Sequence, residues 1–299
     1  MLDNFFKLNG SPEFIEKQDD FTSIVFSKDR IENIVYMPDE LKPKDHPRLK
    51  FSNKTFFNVS FAKTELKNLD FSYCHFEECL FTGTKINNCD FQNSTFLNSN
   101  THKIVIKKTY VNPASFIENI SEYQKSNIAV HLFQQLMNNS RDEEQSSQAR
   151  VAEYNFRKWK NRLAWSKYKH KKPYPINFWD FIKEYIPSFI YRWTFGYGLR
   201  LRNFVGTFFV TFIIFFSINY SQWNNYKLIQ KDLAIEAFDK DTVNITSNLF
   251  YTLDATTKLV DSQFQPSSDF GMNWLVIQGI AGFILLSALI TILINRFVK

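Results

Sequence analysis

The sequence predicts a multi-domain membrane protein: a solenoid built on a five-residue repeat, a helical hairpin, and an all-α unit with two spans. Three observations predict it. Every fifth residue from Phe51 to Phe96 is Phe, Leu or Ile. Two stretches near the C-terminus, Phe204 to Tyr220 and Trp274 to Asn295, are apolar and uncharged. A basic, aromatic-rich segment precedes the first of them.

Residues 1–50 are expected to form a cap, or short strands plus a loop. Phe21, Phe26, Ile31 and Tyr36 share the five-residue spacing, but Pro38, Pro43 and Pro47 interrupt the stretch after Tyr36. The first residues show no basic-then-apolar segment, so no signal peptide is expected.

Residues 51–106 carry the ladder: Phe51, Phe56, Phe61, Leu66, Phe71, Phe76, Phe81, Ile86, Phe91 and Phe96. Side chains repeat every 3.6 residues in a helix and every 2.0 in a strand, so a period of five needs a chain that turns a corner after each unit. Stacking such units gives a solenoid. Cys74, Cys79 and Cys89, the three cysteines, each stand two residues before a ladder position. Val59, Thr64, Thr84, Ser94 and Ser99 occupy equivalent places, while Lys54 and Leu69 depart from the small-residue rule. This pattern resembles the pentapeptide-repeat family. The resemblance implies a right-handed quadrilateral β-helix, four units to a coil, with both residue types inward and about two and a half coils in all. The cysteines are then buried, reduced thiols. No His or acidic partner has ligand spacing around them, so neither a metal nor a cofactor is expected.

Residues 107–170 are expected to hold a cytoplasmic helical hairpin. Ile128, Leu132 and Leu136 mark one helix; Val151, Tyr154, Trp159 and Leu163 mark the other. Residues 171–202 predict an amphipathic helix, with Phe178, Trp179, Ile182, Tyr185, Ile186, Phe189, Ile190 and Trp193 on one face. From Arg157 to Arg202 twelve Lys or Arg face two acids. A basic, aromatic run can bind nucleic acid, but this one abuts an apolar span. It reads instead as a cytoplasmic flank with its helix in the bilayer interface.

Residues 203–299 hold the two spans. The loop between them, Ser221 to Asn273, has four Lys and seven acids. The excess of Lys and Arg on the flanks places both termini in the cytoplasm and the loop outside. Ser247 to Thr257 is a short helix-like stretch ending in Thr256-Thr257. The order of parts matches the pore unit of two-span potassium channels. Trp193-Thr-Phe-Gly-Tyr-Gly-Leu-Arg200 and the segment Ile277 to Leu286 are similar to bacterial pentapeptide-repeat proteins that carry a two-span, potassium-channel-like domain.

That resemblance implies roles for particular residues of this chain. The filter-equivalent residues are Thr256, Thr257, Lys258, Leu259, Val260 and Asp261, with Asp254 as the charge on the pore helix. Gly279 and Gly282 are candidates for a gating bend; close helix packing is the alternative. A potassium filter presents carbonyls from backbone that glycine adopts easily. Leu259 and β-branched Val260 adopt it poorly, so a potassium-selective filter is not expected. Gly196-Tyr197-Gly198 spells a filter tripeptide but lies before the first span, where a tight turn is expected.

The function expected is a homotetrameric ion channel of the inner membrane. Its partners are the lipid bilayer, its own copies, ions, and a cytoplasmic activator or protein bound by the β-helix. Membrane depolarisation in bacterial defence fits a leaky filter. The alternative is a non-conducting, membrane-anchored scaffold. A DNA-mimic role needs an acidic surface, whereas residues 51–101 carry four Lys and five acids; nucleic acid is not an expected partner. The five histidines are scattered and no nucleophile motif appears, so no catalytic residue and no enzyme activity is expected.

Overall fold

The computed structural model describes residues 3–45, 47–230, 245–258 and 264–297. They form two compact units, Met1–Phe189 and Ile190–Lys299.

Short parallel strands dominate the first unit. They are β1 (Glu13–Ile15), β2 (Arg30–Tyr36), β3 (Glu40–Leu41), β4 (Leu49–Lys50), β5 (Thr55–Ser60), β6 (Glu65–Lys67), β7 (Leu69–Asp70), β8 (His75–Glu77), β9 (Lys85–Asn87), β10 (Thr95–Leu97) and β11 (Val105–Lys107). Phe56 pairs with Phe76 and Phe76 with Phe96; Leu66 pairs with Ile86 and Ile86 with Ile106. Bridges at Ser60, Leu80 and Asn100, and at Asp70, Asp90 and Tyr110, add two more ladders. Each ladder therefore repeats every twenty residues, which is four five-residue units. Side chains stack along this register. The rings of Phe56 and Phe76 lie 5.0 Å apart at 6°, and those of Phe76 and Phe96 lie 5.0 Å apart at 9°.

The corners have a conformational signature. Residues 53, 58, 63, 68, 73, 78, 83, 88, 93, 98, 103 and 108 all have positive φ. Six of these are Asn, the non-glycine residue that best tolerates the left-handed region. Gly83 is the one glycine among them.

The small inward positions share one hydrogen bond. Thr84 Oγ1 donates to the Phe61 carbonyl at 2.7 Å, and Ser94 Oγ to that of Phe71 at 2.6 Å. Cys74 Sγ approaches the Phe51 carbonyl at 3.1 Å and Cys79 Sγ that of Phe56 at 3.3 Å. The cysteines thus stand in for Ser and Thr. Burial pushes the thiols of Cys74 and Cys79 up to about 12 and that of Cys89 to about 11. All three are expected to resist alkylation in the native protein at mildly alkaline pH and to react together once it unfolds. Quantitative alkylation without loss of structure would contradict that. Of the exceptions, Leu69 is buried, whereas Lys54 turns its amine to the Lys28 carbonyl and the Asp29 carboxylate.

The stack extends past the expected ladder at both ends. β1 pairs with β2, and β2 and β3 join β5 and β6 at a register of twenty-five, so this first coil is one unit longer. Between β1 and β2 a ten-residue helix, α1 (Gln18–Ser27), sets Phe21 edge-on against Phe51 and Phe61. At the other end, α2 (Ser126–Asp142) and α3 (Ser146–Lys169) form the hairpin. Asn139 of α2 closes the ladder with its amide, accepting from Thr109 N–H at 3.1 Å and donating to the Thr109 carbonyl at 2.7 Å. The buried face of α3 is Ala149, Ala152, Asn155 and Trp159; Val151, Tyr154 and Leu163 are only half-buried. Small alanines admit α2 closely, which a reading of bulky residues alone overlooks.

Helix α4 (Phe178–Phe195) contains Pro187 and carries the division between the units. Phe181 and Tyr185 pack on Tyr168 and Trp165 of α3, while Phe178, Trp179, Ile190 and Trp193 are exposed. The second unit is mostly helical. It holds α5 (Leu201–Gln222), α6 (Ile245–Thr257) and α7 (Asp269–Phe297), with β12 (Leu228–Gln230) antiparallel to β13 (Phe264–Pro266). The α5 segment Leu201–Tyr226 and α7 are long and apolar enough to cross a membrane.

Candidate functional site

The three helices of the second unit meet at two places, and the first is polar. Asn219 of α5 is fully buried in a helix otherwise almost wholly apolar. Its Nδ2 donates to Thr252 Oγ1 of α6 at 2.8 Å and to Gln278 Oε1 of α7 at 3.3 Å. Its Oδ1 accepts from Gln278 Nε2 at 2.8 Å, Tyr226 Oη at 2.9 Å and Trp274 Nε1 at 3.0 Å. Thr252 Oγ1 in turn donates to Asn248 Oδ1 at 3.1 Å. One carboxamide therefore ties together α5, α6 and α7. Aromatic packing of Tyr251 against Trp223 and Tyr226 surrounds it.

The second meeting place is one helical turn further along both α6 and α7. The carbonyl of Thr256 presses on Gly282, and a Cβ built there would lie 2.8 Å from the Thr256 carbonyl carbon, inside contact distance. Thr252 meets Gln278 through Asn219, and Thr256 meets Gly282, so α6 and α7 run in the same direction. Gly282 is also the fourteenth of the 29 residues of α7. Helix α6 therefore ends beside the midpoint of its longer neighbour. Gly279 differs from Gly282: nothing lies within 4 Å of its Cβ position.

The expected site residues fall around this end. Asp254 and Thr256 are buried; Thr257 is half-buried, and its hydroxyl donates to the Leu253 carbonyl at 2.7 Å. Lys258 has φ of 55° and is exposed, with its amine 3.6 Å from the Asp254 carboxylate. Leu259, Val260 and Asp261 lie outside the described residues. Thr256, Thr257 and Gly282 line a cavity of about 270 Å³ that is otherwise walled by Phe and Leu, and the Thr256 hydroxyl has no partner among the described residues. No group of three or more metal-ligating side chains occurs among the described residues.

Gly196, Tyr197 and Gly198 form a buried 3-10 turn before α5, all three with positive φ. Asn295 Nδ2 donates to the Gly198 carbonyl at 3.1 Å. That contact is thirteen residues along α7 from Gly282, about 20 Å at 1.5 Å per residue. The tripeptide is thus a turn at the far end of α7.

Asn219, Thr252 and Gln278 were not singled out in the sequence. The available signal was a carboxamide inside each of two apolar helices, since polar groups at membrane depth are costly and tend to be functional.

A family model for pentapeptide repeats matches residues 60–97 in eight copies. No curated protein matches the chain.

Proposed function

We propose that the chain is one subunit of a homotetrameric membrane ion channel whose filter is not potassium-selective. α5 and α7 are the spans, α6 is the re-entrant pore helix, and the repeats form a right-handed quadrilateral β-helix on the cytoplasmic side. One observation carries the reading: α6 runs along α7 and stops beside its midpoint, anchored at Asn219 and Gly282. If α7 crosses a bilayer, α6 enters from the outer face and ends at mid-depth. Lys258, left-handed just past the helix end, then occupies a level where irregular backbone is tolerated only inside protein or beside a water-filled path. One copy of two spans cannot enclose such a path; four around an axis can. The exposure of the apolar helices supports the membrane assignment, since Phe209, Val210 and Ile213 of α5 and Val276, Ile280 and Phe283 of α7 are all more than half exposed.

In this arrangement Thr256, Thr257 and Lys258 lead into the filter position. Four Lys258 amines held close to Asp254 carboxylates weaken cation repulsion, but they provide no ring of carbonyls. Purified full chain in liposomes is expected to pass monovalent ions with little preference for potassium over sodium. A strong potassium preference would overturn the selectivity assignment. A folded tetramer that passes no ion would favour the membrane-anchored scaffold, for which the lack of any glycine among Lys258, Leu259, Val260 and Asp261 also argues.

A further inference from the structure

We infer that the end of α3 and the start of α4 form a docking surface for anionic phospholipid headgroups. The inference rests on the reading that α5 and α7 cross a bilayer. Residues 157–172 hold eight Lys or Arg and no acid. Part of this charge is already engaged: Arg157 pairs with Glu153, and Arg162 lies over the rings of Trp159 and Tyr123. The cluster at the helix end is different. Among the described residues, Lys167, Lys169, Lys171 and Lys172 have no carboxylate in ion-pairing distance. Lys167 instead holds its amine 4.6 Å from the ring centroid of Tyr174, and Lys169 lies 5.5 Å from that of Trp165. Such contacts orient a cation without neutralising it.

The apolar part of the surface lies beside the charge. Tyr174 is 57% exposed and Trp179 70% exposed, and rings of this kind favour the headgroup level of a bilayer. The start of α4 is held on α3 by stacked rings of Phe181 and Tyr168, centroids 4.5 Å apart, so lysines and aromatics present together. Unneutralised cations beside exposed amphipathic rings complement a negatively charged leaflet. Single-stranded nucleic acid would use the same cations with the rings stacked on bases. The position of the cluster ahead of α5 favours the lipid.

The test uses the full chain in detergent, titrated with phosphatidylglycerol or phosphatidylcholine, with retained lipid counted by native mass spectrometry. Phosphatidylglycerol is expected to be retained preferentially, with a preference that weakens as salt rises. The variant K167Q/K169Q/K171Q/K172Q should lose about tenfold or more of that preference. The corresponding Lys-to-Arg variant, which keeps the charge, should retain it. Equal retention of the two lipids would overturn the inference. So would an unchanged preference in the glutamine variant, or tighter binding of an RNA or DNA oligonucleotide than of phosphatidylglycerol. Lipid retention is read without ion flux. A chain that prefers phosphatidylglycerol yet passes no ions would refute the channel and leave this surface standing.

Discussion

Gly282→Val is expected to prevent α6 from reaching its place beside α7. The Thr256 main chain occupies the space a side chain would need, and main chain cannot rotate away as a flexible side chain does. Forcing bulk into a packed contact costs about 1–3 kcal/mol when neighbours adjust. Here the neighbour is the last turn of a helix, so the adjustment is a displacement of α6 itself. Gly282→Ala should show the same effect at smaller size. Gly279→Ala, where the Cβ meets open space within the chain, should leave folding unchanged. Thermal unfolding of the reconstituted protein measures the difference, and hydrogen exchange across residues 245–257 locates it. The comparison also separates two roles for Gly282. A glycine kept for helix bending would tolerate alanine in the closed state and alter only opening. A glycine kept for close approach would lose stability before any gating is considered. Unchanged stability of Gly282→Ala would rule out the packing role.

The ease of reading differed between the two units for a physical reason. In the first, each ladder residue meets a copy of itself twenty positions away, so sequence period and spatial contact coincide. Phe56, Phe76 and Phe96 show it directly. Asparagine stands two residues after six of the ten ladder positions, on the same period, and marks left-handed corners. The capping amide of Asn139 lies outside the period because a helix, not another coil, delivers it. In the second unit nothing repeats. Asn219 and Gln278 are fifty-nine residues apart, and only folding makes them neighbours. Thr256 and Gly282 drew notice separately, through a resemblance to channels; that one packs into the other depends on helix direction, which no local pattern encodes.

Asn219→Leu is the second substitution with a large expected effect. It removes five hydrogen bonds at once: two donated to Thr252 and Gln278, and three accepted from Gln278, Tyr226 and Trp274. The partners remain buried. A buried donor left unmade costs about 1–3 kcal/mol in a water-soluble core, whereas interhelical hydrogen bonds within membranes average about 0.6 kcal/mol. With three donors orphaned, a loss of about 2–5 kcal/mol is expected. Asn219→Asp should not rescue it, because the carboxylate keeps the acceptor but loses both donors and buries a charge. The informative comparison is Asn219→Leu with Gln278→Leu. Replacing both amides by apolar groups of similar size removes the orphaned Gln278 amide, while Tyr226 Oη and Trp274 Nε1 still lack their acceptor, and should recover part of the stability. If the amides serve only stability, ion flux should recover with it. If they set the depth at which α6 ends, flux should stay impaired in the restabilised double variant, since leucines pack without a fixed register. Wild-type stability in Asn219→Leu alone would show that the amide cluster holds nothing together.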